Sequence, residues 1–554
     1  MRADCSRLWL RSVAGVKEGF RQAMAWLHTW AGLVFGWLLF AIFLTGTLSY
    51  FKDEITQWTK PELVAADVYE ADGAARAQQW LTHNAADSKS WFIRLPSDRE
   101  PQLTVGWRPA NGAFQQQMLD AQTGAPAQVR QTMGGEFFYR FHYQLQMPYP
   151  WGRWLASIAA MMMFVALISG IITHKKIFKE FFTFRPRKGQ RTWLDGHNAV
   201  AVLVLPFHLM ITYSSLVIFM TMIMPASILT SYGKDTSAFF SDLFPAFNSA
   251  PPAAEKAELA PLGPMVRIAQ DTWQGGRARQ LTVNNPGSAN ATVVVGRNNA
   301  DQIPHSVGAG LVFDGHGGQL VSQMGDIAPA LLLASGLYGL HMGHFAGPLV
   351  RWLYFLCGIG GTAMIGTGLV IWLSKRQLKH AKLLKPPLEL RCVEVLNIAS
   401  MAGLMLAVAG FFWANRLLPV SFAGRSDGEI SAFFWIWGLT VVHAAARVFL
   451  RNGRTAWREQ LAVAAVLYAG LPVLDMVTAG DLLLASVKQG RMTLIGLDLT
   501  ALLTGIFLAW GALRFRERAS PVGTTKGLAA RSVRGAPAPS PEAMVNADAA
   551  QEVR

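Results

Sequence analysis

Charge is what this chain has least of. Only 15% of its 554 residues are Asp, Glu, Lys or Arg, against about 25% in an average soluble domain. Cysteine is nearly missing too: Cys5, Cys357 and Cys392 are the full complement. No CxxC or CxxCH occurs, which excludes a covalent c-type haem by that motif and a thiolate zinc site by the usual spacing. None of the three cysteines falls in a loop expected outside a membrane, so no disulfide framework is expected there. No GxGxxG follows a strand-like segment, so no dinucleotide-binding module of that kind is expected.

Apolar residues fill the gap. They make up 51% of the chain and gather in about eight runs long enough to cross roughly 30 Å of hydrocarbon as helix. The runs are Trp26–Tyr50, Gly152–Thr173, Ala199–Ala226, Pro348–Leu373, Val395–Leu418, Ser431–Val448, Ala462–Val477 and Leu494–Leu513. The expected fold class is a mainly α membrane protein. The first run is too long for a signal-peptide core and no small-residue cleavage site follows it, so it reads as a retained anchor.

The net charge of +15 is spread in a way that argues against nucleic acid. Arg2, Arg7, Arg11, Lys17 and Arg21 precede the first run. Lys175, Lys176, Lys179, Arg185, Arg187, Lys188 and Arg191 lie between the second and third. Lys375, Arg376, Lys379, Lys382, Lys385 and Arg391 lie between the fourth and fifth, and Arg514, Arg516 and Arg518 follow the last. Short basic segments at span ends mark the cytoplasmic side and favour anionic lipid. Both termini are therefore expected in the cytoplasm and the two long loops outside.

The first four runs repeat. Arg153-Trp154-Leu155 matches Arg351-Trp352-Leu353, and Gly170 matches Gly368 at the same distance downstream. His28 opens the first run and His197 the third. Each long loop offers one helix, Gly73–His83 or Pro264–Thr272, and then three strand-like segments. In the first loop these begin at Trp91, Pro101 and Phe114, and in the second at Ala278, Ala291 and Gly310. The expected division is a cytoplasmic head (1–25), a first repeat (26–174), a basic cytoplasmic loop (175–194), a second repeat (195–374), a cytoplasmic loop (375–394), a four-helix membrane extension (395–515) and a disordered cytoplasmic tail (516–554). Two repeats in the same orientation are related by a two-fold axis along the membrane normal.

That axis gives meaning to the histidines. "FHYQLQMPYPWGRWL" from Phe141 and "LHMGHFAGPLVRWL" from Leu340 each set a histidine shortly before the shared Arg-Trp-Leu. His142 and His341 then face each other near the outside, and His28 and His197 near the cytoplasm. A planar cofactor on the axis would receive one imidazole from each side, as in a bis-histidine haem. For a single histidine, a hydrogen bond to a neighbour or headgroup explains as much. The same residue type at matched positions in both halves is what generic interfacial polarity does not require.

His208 lies about three turns after His197 and nearly on its face, which makes it the rival ligand. His344, one turn from His341, would line the outer cofactor or a substrate path. His174 would assist the inner one. None of these three has a mate in the other repeat. In the extension, His443 reads as structural, and Asp475 and Asp498 as either satisfied polar contacts or a proton or quinone site.

"WLHTWAGLVFGWLLFAIFLTG" from Trp26, "RFHYQLQMP" from Arg140, "WLDGHNAVAVLVLPFHLMI" from Trp193 and the Leu340 stretch resemble the PepSY-associated transmembrane family of bacterial inner-membrane iron-uptake proteins, which includes ferric-siderophore reductases. The outside loops look like PepSY domains. The resemblance covers about residues 20–380. It implies two haem b groups, held by His28 with His197 and by His142 with His341. It also implies transfer of electrons from a cytoplasmic or membrane donor to a periplasmic ferric siderophore. The four spans after Val395 do not continue the repeat. An iron or chelate permease without redox activity, and a regulator whose lobes bind a periplasmic peptidase, are the competing expectations.

Overall fold

The computed structural model describes residues 19–515, apart from 64–68, 110–111, 175–183, 187, 244–249, 306–309, 324–327, 384, 451–452 and 481–491. The first eighteen residues of the expected head, most of the basic loop including Lys175, Lys176, Lys179 and Arg187, and the expected disordered tail 516–554 lie outside the described residues.

Among the described residues, seven helices are long and apolar enough to cross a membrane. They are α1 (Phe20–Ser49), α5 (Trp151–Thr173), α10 (Pro348–Lys379), α11 (Leu388–Leu417), α12 (Arg425–Leu450), α13 (Gly453–Ala479) and α14 (Met492–Arg514). An eighth crossing is made by a bent pair, α6 (Gln190–Leu203) and α7 (Leu205–Ile218), whose axes differ by 68°. The chain is a multi-pass membrane protein. Several hydroxyls inside the spans are satisfied within their own helices. Thr45, Ser157 and Ser169 each return a hydroxyl to the carbonyl four residues back, at 2.7–2.8 Å, which removes the cost of an unpaired group in hydrocarbon.

The third run, Ala199–Ala226, is not one straight span. Pro206 stands in the first turn of α7, has no N–H to give, and crowds the residue before it. The helix breaks at Val204 and resumes with the His208 amide on the Val204 carbonyl at 2.9 Å. After Ile218 the chain makes three short helices between Met220 and Leu243.

Outside the spans, α3 (Glu70–Asn84) precedes β1 (Ser88–Arg94), β2 (Leu103–Pro109) and β3 (Gln115–Leu119). In the second half, α8 (Leu262–Thr272) precedes β4 (Ala278–Asn284), β5 (Thr292–Arg297), β6 (Gly310–Asp314) and β7 (Leu320–Gln323). The last segment of the second loop, expected as one strand, is thus a hairpin turned at Asp314–Gly318. Nor do the loops form two separate lobes. All seven strands join one antiparallel sheet in the order β3-β2-β1-β4-β5-β6-β7, with Phe92 of β1 opposite Thr282 of β4. Pairing these first strands removes two exposed edges at once. Alternate residues Ile93, Leu281, Val283, Val293, Val295 and Phe313 point to one face. There they share a core with Leu81 of α3 and Leu262 and Val266 of α8.

Three further helices tie sheet to spans: α2 (Lys52–Thr59), α4 (Gly135–Gln144) and α9 (Pro329–Met342). Glu54 on α2 accepts from Arg99 of the sheet domain at 2.7 Å and from Arg351 at the head of α10 at 3.0 Å.

Candidate functional site

His142 and His341 do not begin the spans that follow them. Each stands in the last turn of a separate short helix, α4 or α9. Both helices are closed by a left-handed residue, Leu145 (φ 56°) and Gly343 (φ 63°). Their rings face each other with centres 6.1 Å apart and planes 38° from parallel. Far across the bundle, His28 of α1 and His197 of α6 form a second pair with centres 6.4 Å apart and planes at 74°.

Each ring is oriented through Nδ1. His28 meets the Ala166 carbonyl at 2.8 Å and His197 the Met364 carbonyl at 2.9 Å. Ala166 and Met364 stand the same number of residues beyond Arg153 and Arg351. His142 meets the Ile42 carbonyl at 2.8 Å. His341 lies 2.9 Å from the Ser214 hydroxyl, itself 3.1 Å from the Ile211 carbonyl. Ile42 and Ile211 stand the same number of residues beyond His28 and His197. The two halves thus hold their histidines through matched positions.

Three rings also rest against glycine. A Cβ at Gly46 would come within 2.5 Å of His142 Nδ1, one at Gly170 within 3.1 Å of His28, and one at Gly368 within 3.3 Å of His197. The sequence match of Gly170 with Gly368 was a signal for this. The mate of Gly46 is Ser215, so that position gave none.

These features fit a metal held between imidazoles. With metal–nitrogen bonds of about 2.0–2.1 Å, ring centres on opposite sides of one ion lie roughly 6.3 Å apart, close to both observed separations. An Nδ1 bonded to an acceptor fixes the tautomer and leaves Nε2 as the coordinating atom. Each pair borders its own cavity. The lobe-side cavity, about 630 Å³, is lined by His142, His341 and Gly46. The basic-side cavity, about 790 Å³, is lined by His28, His197 and Gly170, with Lys375, Arg376 and Lys379 at its rim. Leu39 and Met163 line both and form the wall between them.

The remaining histidines separate clearly. His208 is fully buried and lines neither cavity. Its ring packs edge-on to Phe43, centres 6.1 Å apart, and its Nε2 faces Gly361. His344 lines the lobe-side cavity, 5.9 Å from the ring of His305. Burial, with Lys52 nearby, lowers its imidazole to about 4, so it is neutral. His174 lines the basic-side cavity. His443 bonds Glu459 at 2.9 Å, Asp475 pairs with Arg416, and Asp498 accepts from Trp58 Nε1 at 3.1 Å.

A polytopic helical bundle under one sheet, with two facing imidazole pairs at two depths, defines a class of membrane protein. The chain belongs to the PepSY-associated transmembrane family: the PepSY-associated TM region matches residues 25–375. A relative from Pseudomonas aeruginosa, itself an uncharacterized protein, is 23% identical over 408 residues, spanning 70% of this chain and 96% of the relative.

Proposed function

We propose that this chain is a dihaem b-type oxidoreductase of the bacterial inner membrane. It takes electrons on the cytoplasmic side and reduces Fe(III) in a siderophore or similar chelate in the periplasm. The observation that carries this reading is the pair of imidazole pairs, 6.1 and 6.4 Å between ring centres, each ring oriented through Nδ1. Matched contacts in the two halves support descent from a duplicated unit, each copy contributing a PepSY-like helix and strands to the one sheet.

Bound haem supplies one-electron chemistry, tuned by axial ligation and burial. The chain's own residues do the rest. His28 with His197, and His142 with His341, are the residues that would hold the two haems. Carbonyls of Ala166, Met364 and Ile42 fix three of the ring planes, and the Ser214 hydroxyl fixes the fourth. Leu39 and Met163 keep water out of the wall between the two cavities. The lobe-side cavity admits the substrate. One electron converts each Fe(III) to Fe(II), for which the chelator's hard oxygen donors are poorer ligands, and the metal is released. The donor is a separate one-electron carrier, soluble in the cytoplasm or lodged in the membrane.

The test is a reduced-minus-oxidised visible spectrum of protein purified in detergent from haem-replete cells. Sharp low-spin b-type bands and about two haems per chain are expected. A colourless preparation would end the proposal.

A further inference from the structure

The matched arginines Arg153 and Arg351 have different surroundings. Arg351 is buried and neutralised, 3.0 Å from Glu54. Arg153 makes no ion pair among the described residues. Its Nε bonds the Gln144 side-chain oxygen at 3.0 Å. Its guanidinium carbon lies 5.2 Å from the ring centres of both Tyr143 and Tyr149. All three residues line the lobe-side cavity, where Lys52 is the other cation and, among the described residues, no aspartate or glutamate contributes to the lining. Lys52 has its own acid, Glu136, at 3.2 Å. Aromatic faces hold a guanidinium in place without neutralising it, and its two terminal nitrogens are left with no hydrogen bond among the described residues. A fixed planar cation with free donors suits an oxygen anion, which it binds in bidentate fashion.

We propose that Arg153, held between Tyr143 and Tyr149, is an anion anchor at the mouth of the lobe-side cavity. Its ligand is a carboxylate or phenolate group. On the proposed function two sources carry that chemistry: a haem propionate, or an anionic ferric chelate of the catecholate type. The inference rests on that function only for the identity of the anion.

The test compares wild type with Arg153→Gln and Arg153→Lys. Two redox-inert probes of similar size are used, a trianionic gallium(III) tris-catecholate and a neutral gallium(III) tris-hydroxamate, with binding followed by quenching of intrinsic fluorescence. Haem content and midpoint potentials are measured on the same preparations. If the chelate is the anion, Arg153→Gln weakens the catecholate at least tenfold, spares the hydroxamate, and Arg153→Lys recovers part of the loss. If a propionate is the anion, chelate binding is unchanged and one haem is lost or its potential moves. Unchanged binding, haem content and potentials in Arg153→Gln would overturn the anchor. Should that variant fail to accumulate, Arg153→Lys and the salt dependence of wild-type binding decide. A catecholate affinity insensitive to salt, with Arg153→Lys indistinguishable from wild type in every readout, would also overturn it. Haem-free protein that still binds the catecholate through Arg153 would sink the oxidoreductase reading and keep the anchor. Dihaem protein indifferent to Arg153 would do the reverse.

Discussion

Phe137 lies flat on Phe411, ring centres 4.6 Å apart and planes within 10° of parallel. One belongs to α4, the helix that carries His142, and the other to α11 of the C-terminal extension. Phe433 of α12 closes on the same ring at 4.9 Å, and Phe138 joins Phe411 at 5.3 Å. The apolar face of α4 is thus wedged into the extension, and His142, one turn after Phe138 on the flank of that face, is presented to the cavity. The extension acts as a backstop for one ligand helix.

Phe411→Ala should therefore cost about 3–5 kcal/mol and loosen the lobe-side pair first. Thermal unfolding in detergent gives the stability change. Haem content and low-temperature spectra report which cofactor is disturbed. A loss confined to the cofactor of His28 and His197 would contradict the backstop.

Gly46→Ala introduces a methyl group 2.5 Å from His142 Nδ1. The imidazole must then swing off the Ile42 carbonyl. On the proposed function this variant keeps one haem of two, while Gly368→Ala, with 3.3 Å of room beside His197, keeps both. The pyridine haemochrome ratio of haem to protein separates these outcomes.

His142→Ala and His341→Ala should each remove one haem, whereas His208→Leu should remove none. Leu39, the mate of His208 in the first half, shows that the apolar residue fits such a position. Among the described residues neither ring nitrogen of His208 meets a partner with full hydrogen-bond geometry, so replacing it removes a buried polar group at little cost in contacts. A missing haem in His208→Leu would transfer the ligand role to it.

Arg425 and Glu429 are fully buried partners. Arg425 also bonds the Gln131 carbonyl at 3.1 Å, and Glu429 accepts from Asn415 at 2.8 Å and from Thr132. Arg425→Ala leaves an unpaired carboxylate and should cost about 3–5 kcal/mol. Adding Glu429→Ala should recover part of that. A double variant less stable than the single one, by midpoint of thermal unfolding, would show that the ion pair is not what Arg425 serves.

What was legible in the sequence is what the chain writes twice. The four facing histidines and the matched glycines Gly170 and Gly368 come from comparing two stretches of one chain, and the span count comes from the length of the apolar runs. What was hidden depends on partners chosen at a distance. Nothing near Phe92 says that β1 will pair with β4, since either strand could have stayed an edge. The separation of α9 from α10 carried a glycine signal at Gly343, but the matching break after α4 falls at Leu145, where a left-handed leucine has no signature. The bend at Val204 followed from Pro206. The docking of α4 on the extension did not follow from anything local, because Phe137 lies between the expected runs, Phe411 lies within one, and the two are far apart in the chain.

The wall of Leu39 and Met163 has an electrical consequence. On the proposed orientation, two chambers that open toward opposite faces and share Leu39 and Met163 in their linings would put most of the insulating thickness of the membrane between their far ends. An electron leaving a negative cytoplasm through such a pair runs downhill in the membrane potential, by about 2.3 kcal/mol per 100 mV for a full crossing. For the proposed reductase, the energised state of the cell would thus help drive reduction of a chelate too electron-rich to be reduced by the donor's own potential.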